Sequence, residues 1–520
     1  MQETDTATVW TMDHDTVRTL WSIAAYHAAR TPDAVAMEYE TRTTTYAQWA
    51  ARALAMDAAL RALAPQPGTR VAYLGKNCDL YFSLLAAVSR AGLVLVPLNW
   101  RLAPGEWQFI LEDAEVGLLL HDSYLAEEAA GLVGLVPGLT TALIDDFGTA
   151  APAQEWPARD DPDAVAVQMY TSGTTGRPKG AMLSNWNILA QRKPGYVQKA
   201  AWYQTEQDTT LVISPIAHVA GTAFATWQLY AGGRIVIARE FAPADTVALI
   251  NRTGITFALF VPSMLQMLLD YLDESGERVN SLRYIAYGAS PMPEAILARA
   301  QAMIPARYVQ MYGMTEAGGV ATALGPEYHE GDHRPKLRSA GRPFPGGEVA
   351  IVDPQGHFLP AGTEGEVVVR SEQVMKGYWK RPDATAEAML PGGWFRSGDM
   401  GRMDEDGFLY VFDRVKDMII TGGENVYPAE VENLLFTHPA IRSAAVIGRP
   451  HDKWVEEVVA VVVLEPGVTL TLEELREWAR GKIAGFKIPR ALSIVDALPM
   501  NPSGKVLRRH LRDADLPFSG

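Results

Sequence analysis

The sequence predicts a multidomain α/β protein: a large N-terminal domain with parallel α/β sheets, a small antiparallel β-barrel-like subdomain, and a small α+β domain at the C-terminus. Three observations predict it. The chain has 520 residues, more than one hydrophobic core usually organises. From about residue 20 to 320, short runs of Val, Ile, Leu and aromatic residues alternate with longer amphipathic stretches, the pattern of strands and covering helices. After residue 340 the runs become closely spaced and are separated by turn residues.

In the first region strands are expected over residues 70–74, 93–97, 116–120, 164–170, 210–214, 234–238, 257–261, 283–287 and 307–310. The Ala-rich stretch 47–64 reads as an amphipathic helix. Ligands of such sheets gather where strands end and loops begin, so the loops after these strands are where chemistry is expected. Farther on, residues 348–352 and 366–370 around the Pro354-Gln355-Gly356 turn predict a hairpin, and Asp404-Glu405-Asp406-Gly407 introduces a strand over 408–412. Beyond Asp413-Arg414-Val415-Lys416, a helix is expected over 429–436, strands over 444–447 and 458–464, a helix over 472–483, and a final basic segment.

Hydrophobic residues make up 48% and charged residues 21%, an ordinary globular composition. The formal charge of −15 makes the average surface repel nucleic acid and anionic lipid, so a polyanionic ligand needs a local basic patch. Residues 475–520 supply one, with nine Lys/Arg against four acids. The single cysteine, Cys78, excludes an intramolecular disulfide, suits a reducing compartment and reads as a packed free thiol. Met1-Gln2-Glu3-Thr4-Asp5 lacks a signal-peptide pattern, and no apolar run approaches the ~18 residues of a membrane span. A cytoplasmic protein without a membrane span or nucleic-acid partner is expected.

The most informative stretch follows a predicted strand: Tyr170-Thr171-Ser172-Gly173-Thr174-Thr175-Gly176-Arg177-Pro178-Lys179-Gly180. Such a loop exposes backbone N–H groups, supplies the hydroxyls of Thr171, Ser172, Thr174 and Thr175, and ends in the cation Lys179, all suited to phosphates. It is not a Walker A loop, because the glycine-to-lysine spacing differs and no Ser or Thr follows the lysine. Composition alone leaves open a flexible surface loop.

Taken whole, the string closely resembles the phosphate-binding loop of the acyl-adenylate-forming superfamily, in its acyl-CoA synthetase branch. Further motifs of that superfamily follow in order. Ser214-Pro215-Ile216-Ala217-His218-Val219-Ala220-Gly221 resembles the second, Tyr287-Gly288-Ala289-Ser290-Pro291 the third and Gln310-Met311-Tyr312-Gly313-Met314-Thr315-Glu316 the fourth. Ser397-Gly398-Asp399, Asp413-Arg414-Val415-Lys416, Gly422-Gly423-Glu424-Asn425 and Asn501-Pro502-Ser503-Gly504-Lys505 complete the set.

The resemblance implies an ATP-dependent acid:CoA ligase that forms an acyl-AMP and then an acyl-CoA, with ATP, Mg²⁺ and coenzyme A. Gly288, Ala289 and Tyr312 would border the adenine, Ser290 would belong to the same nucleotide site, and Asp399 and Arg414 would hold the ribose hydroxyls. Thr315 is placed for the α-phosphate and Glu316 for Mg²⁺. Lys505 would stabilise charge in the adenylation transition state, where a fixed ammonium acts more strongly than in the ground state. Rotation of residues 417–520 about a hinge at 413–416, centred on Lys416, would then withdraw Lys505 and bring Gly422, Gly423 and Glu424 to the pantetheine channel. Residues 1–412 form the remaining domain, with the antiparallel subdomain at about 340–412. His218 would stand beside the carboxylate, and Lys487 and Arg490 are candidates for CoA phosphates.

By the same resemblance Val219, Ala220, Phe260 and Met314 would line the acyl pocket, and their apolar character implies a medium- or long-chain fatty acid or an aryl or branched acid. The same motifs would serve a stand-alone acyl-AMP ligase that loads a carrier protein. An inactive acyl- or CoA-binding regulator would be expected to lack Lys505, Glu316, Asp399 or the 171–179 loop, and all are present. A homodimer is the assembly to test.

Overall fold

The computed structural model describes residues 15–63, 66–150, 156–171, 177–193, 200, 202–414, 417–421, 424–451, 454–500, 506–514 and 516. The chain divides into two compact units, one of residues 1–240, 315–319 and 372–382, the other of 241–314, 320–371 and 383–520.

The first unit contains a seven-stranded sheet in the order Gly377–Tyr378, Lys179–Ser184, Val165–Thr171, Val94–Leu98, Arg70–Leu74, Leu118–His121, Thr140–Leu143. The last five run parallel, and Lys179–Ser184 and Gly377–Tyr378 add antiparallel neighbours at one edge. Val94–Leu98 is buried along its whole length, as a parallel strand covered on both faces must be. A second set pairs Thr209–Val212, Arg234–Ile237 and Val35–Tyr39 in parallel, with Arg42–Thr45 returning antiparallel. The helix expected over 47–64 forms as Tyr46–Leu63. On it, buried Asp57 takes both Arg61, through a 2.7 Å bond, and Arg90. Those guanidiniums also donate to the carbonyls of Pro157 and Trp156, so a closed ion triad pins the segment that leads into strand Val165–Thr171.

In the second unit Phe257–Phe260, Tyr284–Gly288 and Arg307–Tyr312 pair in parallel, and Thr322–Leu324 and Arg342–Pro343 continue antiparallel. The antiparallel region predicted after residue 340 is a sheet of Gly347–Val352, Glu364–Ser371 and Trp394–Met403, with Met389–Leu390 and Leu409–Arg414 both paired to the third.

The C-terminal part is built on Ile441–His451 and Val455–Leu464, joined by Ile419–Thr421, Glu424–Val426 and Ala491–Ile494. The run Val458–Val462 is buried at every position because both faces are covered. Ala444 and Val446 face helices Pro428–Leu435 and Leu472–Ala479, whereas Ala445 and Ile447 face Leu498 and Leu511. Helix Leu472–Ala479 starts at a capping box, Thr471 Oγ1 accepting from Glu474 N and Glu474 Oε2 from Thr471 N. It stops four residues short of the predicted end, because Arg480 is extended and Gly481 has φ of +78°. Cys78 is buried as expected, and burial pushes its thiol up to about 12. Among the described residues no helix is long and apolar enough to cross a membrane.

Candidate active site

Strand Val165–Thr171 ends where the phosphate-loop motif begins, and strand Lys179–Ser184 starts where it finishes, with Thr171 opposite Lys179 in the antiparallel register. Ser172, Gly173, Thr174 and Thr175 lie outside the described residues. Thr171 Oγ1 donates to Glu316 Oε1 at 2.9 Å, and Tyr378 Oη donates to the same oxygen at 3.1 Å. Lys179 Nζ lies 5.2 Å from the centre of the Tyr378 ring. Glu316 sits in the tight turn Thr315–Ala317, whose Glu316 carbonyl accepts from Met375 N at 2.8 Å. Gly318 closes that turn at φ +66°, where a Cβ would lie 2.8 Å from the carbonyls of Asn187 and Gln373. The first unit therefore brings Thr171, Lys179 and Glu316 together around Tyr378, with half-buried Thr315 next to Glu316 in the chain. Tyr378 is new to the set. Its only sequence signal is a Gly377-Tyr378-Trp379 string matching no motif above.

His218 is placed by a turn that the rest of the first unit clamps. Asn77 accepts from Ile216 N at 3.0 Å and donates to Ser214 O at 3.2 Å, and Tyr81 bonds Thr222 at 2.7 Å. A Cβ at Gly221 would meet Pro215 O at 2.5 Å, so only glycine lets helix Val219–Tyr230 start this close to the turn. His218 Nε2 lies 3.2 Å from Asn99 Nδ2 at the end of strand Val94–Leu98. Burial first, and the charge of Arg101 second, hold its pKa down to about 4, so the ring is neutral at pH 7. Val219 is buried and Ala220 half-buried at the start of the same helix, which continues through buried Ala223, Phe224 and Trp227.

In the second unit Gly288 ends strand Tyr284–Gly288, where a Cβ would fall 2.0 Å from Met311 O. Ala289 follows, exposed and at φ +66°, and Ser290 is half-buried. The preceding Tyr287 bonds the buried His329 Nε2 at 2.9 Å, while His329 Nδ1 donates to Gly325 O at 2.9 Å. Tyr312 Oη donates to Asp399 Oδ2 at 2.6 Å, which joins the expected adenine and ribose residues directly. Asp399 N in turn donates to Ser397 Oγ at 3.0 Å. Asp399 and Arg414 are register partners of the antiparallel pair Trp394–Met403 and Leu409–Arg414. Phe260 is fully buried and Met314 half-buried.

In the C-terminal part Glu424 is exposed, paired through its backbone to Thr421. Lys487 Nζ is bound by both oxygens of Glu430 at 2.6 and 2.7 Å, and the Arg490 guanidinium lies 4.2 Å from the centre of a Trp454 ring. Lys416, Gly422, Gly423 and Lys505 lie outside the described residues.

Chemically, the Glu316 carboxylate with the Thr171 and Tyr378 hydroxyls is a set of hard oxygens. Mg²⁺ fits such a set, because it takes one or two carboxylates and fills the rest of its shell from water and phosphate. The half-buried Tyr312 beside a carboxylate suits a flat heterocycle carrying a diol.

The AMP-binding enzyme family matches residues 24–379, and the AMP-binding enzyme C-terminal domain matches residues 430–505. A fatty acid–[acyl-carrier-protein] ligase of Streptomyces coeruleorubidus is 38% identical over 96% of this chain and 97% of its own. A feruloyl-CoA synthase of Amycolatopsis sp is 37% identical over 93% of this chain and 96% of its own. The o-succinylbenzoate CoA synthetase of Bacillus subtilis, solved with its acyl-adenylate intermediate, superposes with a TM-score of 0.84 at 33% identity, covering 96% of this chain and 99% of that one. The same synthetase has been solved with ATP and magnesium ion, at a TM-score of 0.83 and 33% identity over 95% and 99% of the two chains.

Proposed function

Since the chain belongs to the AMP-binding enzyme family, we propose that it joins a hydrophobic carboxylic acid to the thiol of coenzyme A. The enzyme is an AMP-forming acid–thiol ligase that uses ATP, Mg²⁺ and CoA. The observation that carries the reading is the Glu316 carboxylate held by the Thr171 and Tyr378 hydroxyls, beside Lys179 at the phosphate loop.

In the first half-reaction a substrate carboxylate oxygen attacks the α-phosphorus and the bond to pyrophosphate breaks, leaving acyl-AMP. Thr171 and Lys179 hold the phosphates, Thr315 faces the α-phosphate, and Tyr312, Asp399 and Arg414 hold the nucleoside. Glu316 would hold Mg²⁺, which would supply neutralisation of phosphate charge. Lys505 stabilises the negative charge that grows on the phosphoryl oxygens. In the second half-reaction the thiol sulfur attacks the acyl carbonyl, and the bond to AMP breaks. Residues 413–416 act as the hinge between the steps, with 417–520 as the moving domain. Neutral His218 borders the carboxylate without adding a charge that would compete with Lys505.

A hydrophobic acid is supported by Val219 and Ala220, which open a helix continuing through Ala223, Phe224 and Trp227 next to His218. A second reading, in which the accepting thiol belongs to a carrier protein, is favoured by the ligase that is 38% identical and by the engagement of Lys487 with Glu430. The test is to incubate the protein with ATP, Mg²⁺ and a panel of dodecanoate, palmitate, ferulate, 2-succinylbenzoate and isovalerate, with CoA or with a holo-acyl-carrier protein. Acyl-CoA formation with one preferred acid is the expected result. Acyl-AMP that CoA leaves unchanged and the carrier consumes would move the assignment to the second reading.

A further inference from the structure

Between the C-terminal helix and the chain that follows residue 416 runs a row of charges with alternating sign. Arg508 Nη2 lies 2.9 Å from each oxygen of Glu432 on helix Pro428–Leu435, and its Nη1 lies 4.0 Å from Asp417 Oδ2. Arg512 Nη2 donates to Asp417 Oδ1 at 2.9 Å. Glu432 Oε1 also accepts from Val446 N at 2.8 Å, which fixes the row to strand Ile441–His451. The side chains of Asp417 and Arg508 are each only 11% exposed, so both charges are largely withdrawn from water. The apolar side of helix Arg508–Asp513 is seated too: Leu511 is buried against Ala445, Ile447, Val459 and Val461.

The segment tethered this way bears directly on Lys505. Met500 and Val506 form an antiparallel bridge, and Leu507 N donates to Pro499 O at 2.8 Å. The residues on either side of 501–505 are therefore held to each other, and Arg508 follows two residues after Val506. At the other end of the row, Asp417 is the residue next to Lys416.

We propose that Asp417, Arg508 and Arg512 are positioning residues for acyl-AMP formation, fastening the segment that bears Lys505 to the chain immediately after residue 416. The inference rests on the reading of Lys505 and the 413–416 hinge given above. If that chain turns, the row carries helix Arg508–Asp513, which begins three residues after Lys505, along with it, and in its absence that coupling is lost. An ammonium that must lie within contact distance of a developing charge loses most of its effect when displaced by about 1 Å. The thioester step needs Lys505 withdrawn and does not depend on this precision.

The experiment separates the two half-reactions in Asp417→Asn and Arg512→Gln, using the acid of highest turnover in the panel above. Arg512 is the more exposed partner, at 30%, and its Gln variant tests the row if Asp417→Asn proves unstable in a thermal melt. Acyl-AMP formation is expected to fall about 10- to 100-fold. KM for ATP and acid, and the conversion of supplied acyl-AMP and CoA to acyl-CoA, should stay within about twofold of the unsubstituted protein. Arg512→Lys should recover most of the loss, since it restores the charge opposite Asp417. Unchanged adenylation, or a parallel fall in both half-reactions, would overturn the proposal. Lys505→Ala is the reference: if it adenylates normally, the reading of Lys505 fails as well, whereas if it is inactive while Asp417→Asn and Arg512→Gln are not, only the positioning role fails.

Discussion

Asn99 and His218 share a hydrogen bond whose direction is fixed: Asn99 Oδ1 accepts from Arg101 N at 3.1 Å, so its amide nitrogen is the group 3.2 Å from His218 Nε2. Nε2 must then accept, which assigns the ring proton to Nδ1 and agrees with the neutral ring that burial enforces. Asn99→Asp replaces the donor by an acceptor with negative charge, a partner only a protonated Nε2 can satisfy. The His218 pKa should rise from about 4 to above the ordinary value of about 6.5. Ring-proton NMR against pH checks this, and a His218 resonance that does not titrate between pH 5 and 8 would refute the assignment.

Glu316 accepts two hydroxyl donors on one oxygen, and the two bonds should differ in consequence from the carboxylate itself. Glu316→Gln removes the charge that holds Mg²⁺ and should lower ATP–pyrophosphate exchange roughly 10²-fold or more, with a raised requirement for Mg²⁺. Tyr378→Phe removes one charge-assisted hydrogen bond and should cost about tenfold. Exchange rates over a magnesium titration distinguish them. Equal losses in the two variants would mean that Tyr378 does more than orient Glu316.

The main strands of the first region and the helices Pro428–Leu435 and Leu472–Ala479 were legible because their signals are local: short apolar runs bounded by turn residues, and amphipathic periodicity. Strand Trp394–Met403 was not, since its motif Ser397-Gly398-Asp399 lacks apolar alternation and the strand is held by neighbours on both sides. Tyr312 and Asp399 could be named from motifs, but their mutual bond spans 87 residues and no pattern in either segment encodes it. Asn99, Tyr378 and His329 escaped for the same reason. Each acts through a partner far off in sequence, and its own neighbourhood reads as an ordinary strand end or loop.

Three buried or largely buried histidines make the fold sensitive to acid. His27, His218 and His329 are each held down to about 4, with burial as the first cause in every case. The unfolded chain binds these protons near pH 6.5 and the folded chain only near pH 4, so the unfolded state gains protons first as pH falls. Stability is undiminished by these groups above about pH 6.5, declines from there to about pH 4 and levels below it. The melting temperature followed from pH 7 to pH 4 should fall over that window, and His27→Gln should flatten the fall. A melting temperature that stays constant down to pH 5 would contradict the assignment.

At Gly288, as at Gly221, the neighbouring backbone dictates the residue. A Cβ there would sit 2.0 Å from Met311 O, an atom of the neighbouring strand Arg307–Tyr312 that cannot step aside without breaking the parallel pairing of Gly288 with Met311. Strand Tyr284–Gly288 would have to move away at the point where it hands the chain to Ala289, and Tyr312 lies one residue beyond Met311. Gly288→Ala is therefore expected to damage nucleotide binding more than acyl binding. ATP affinity should fall at least tenfold, about 1.4 kcal/mol, with a lowered melting temperature and little change in the KM for the acid. Calorimetric titration with ATP and a thermal melt of the same sample measure both effects. A normal ATP affinity in a stable Gly288→Ala protein would mean that the two strands spread without consequence and that the adenine is held elsewhere.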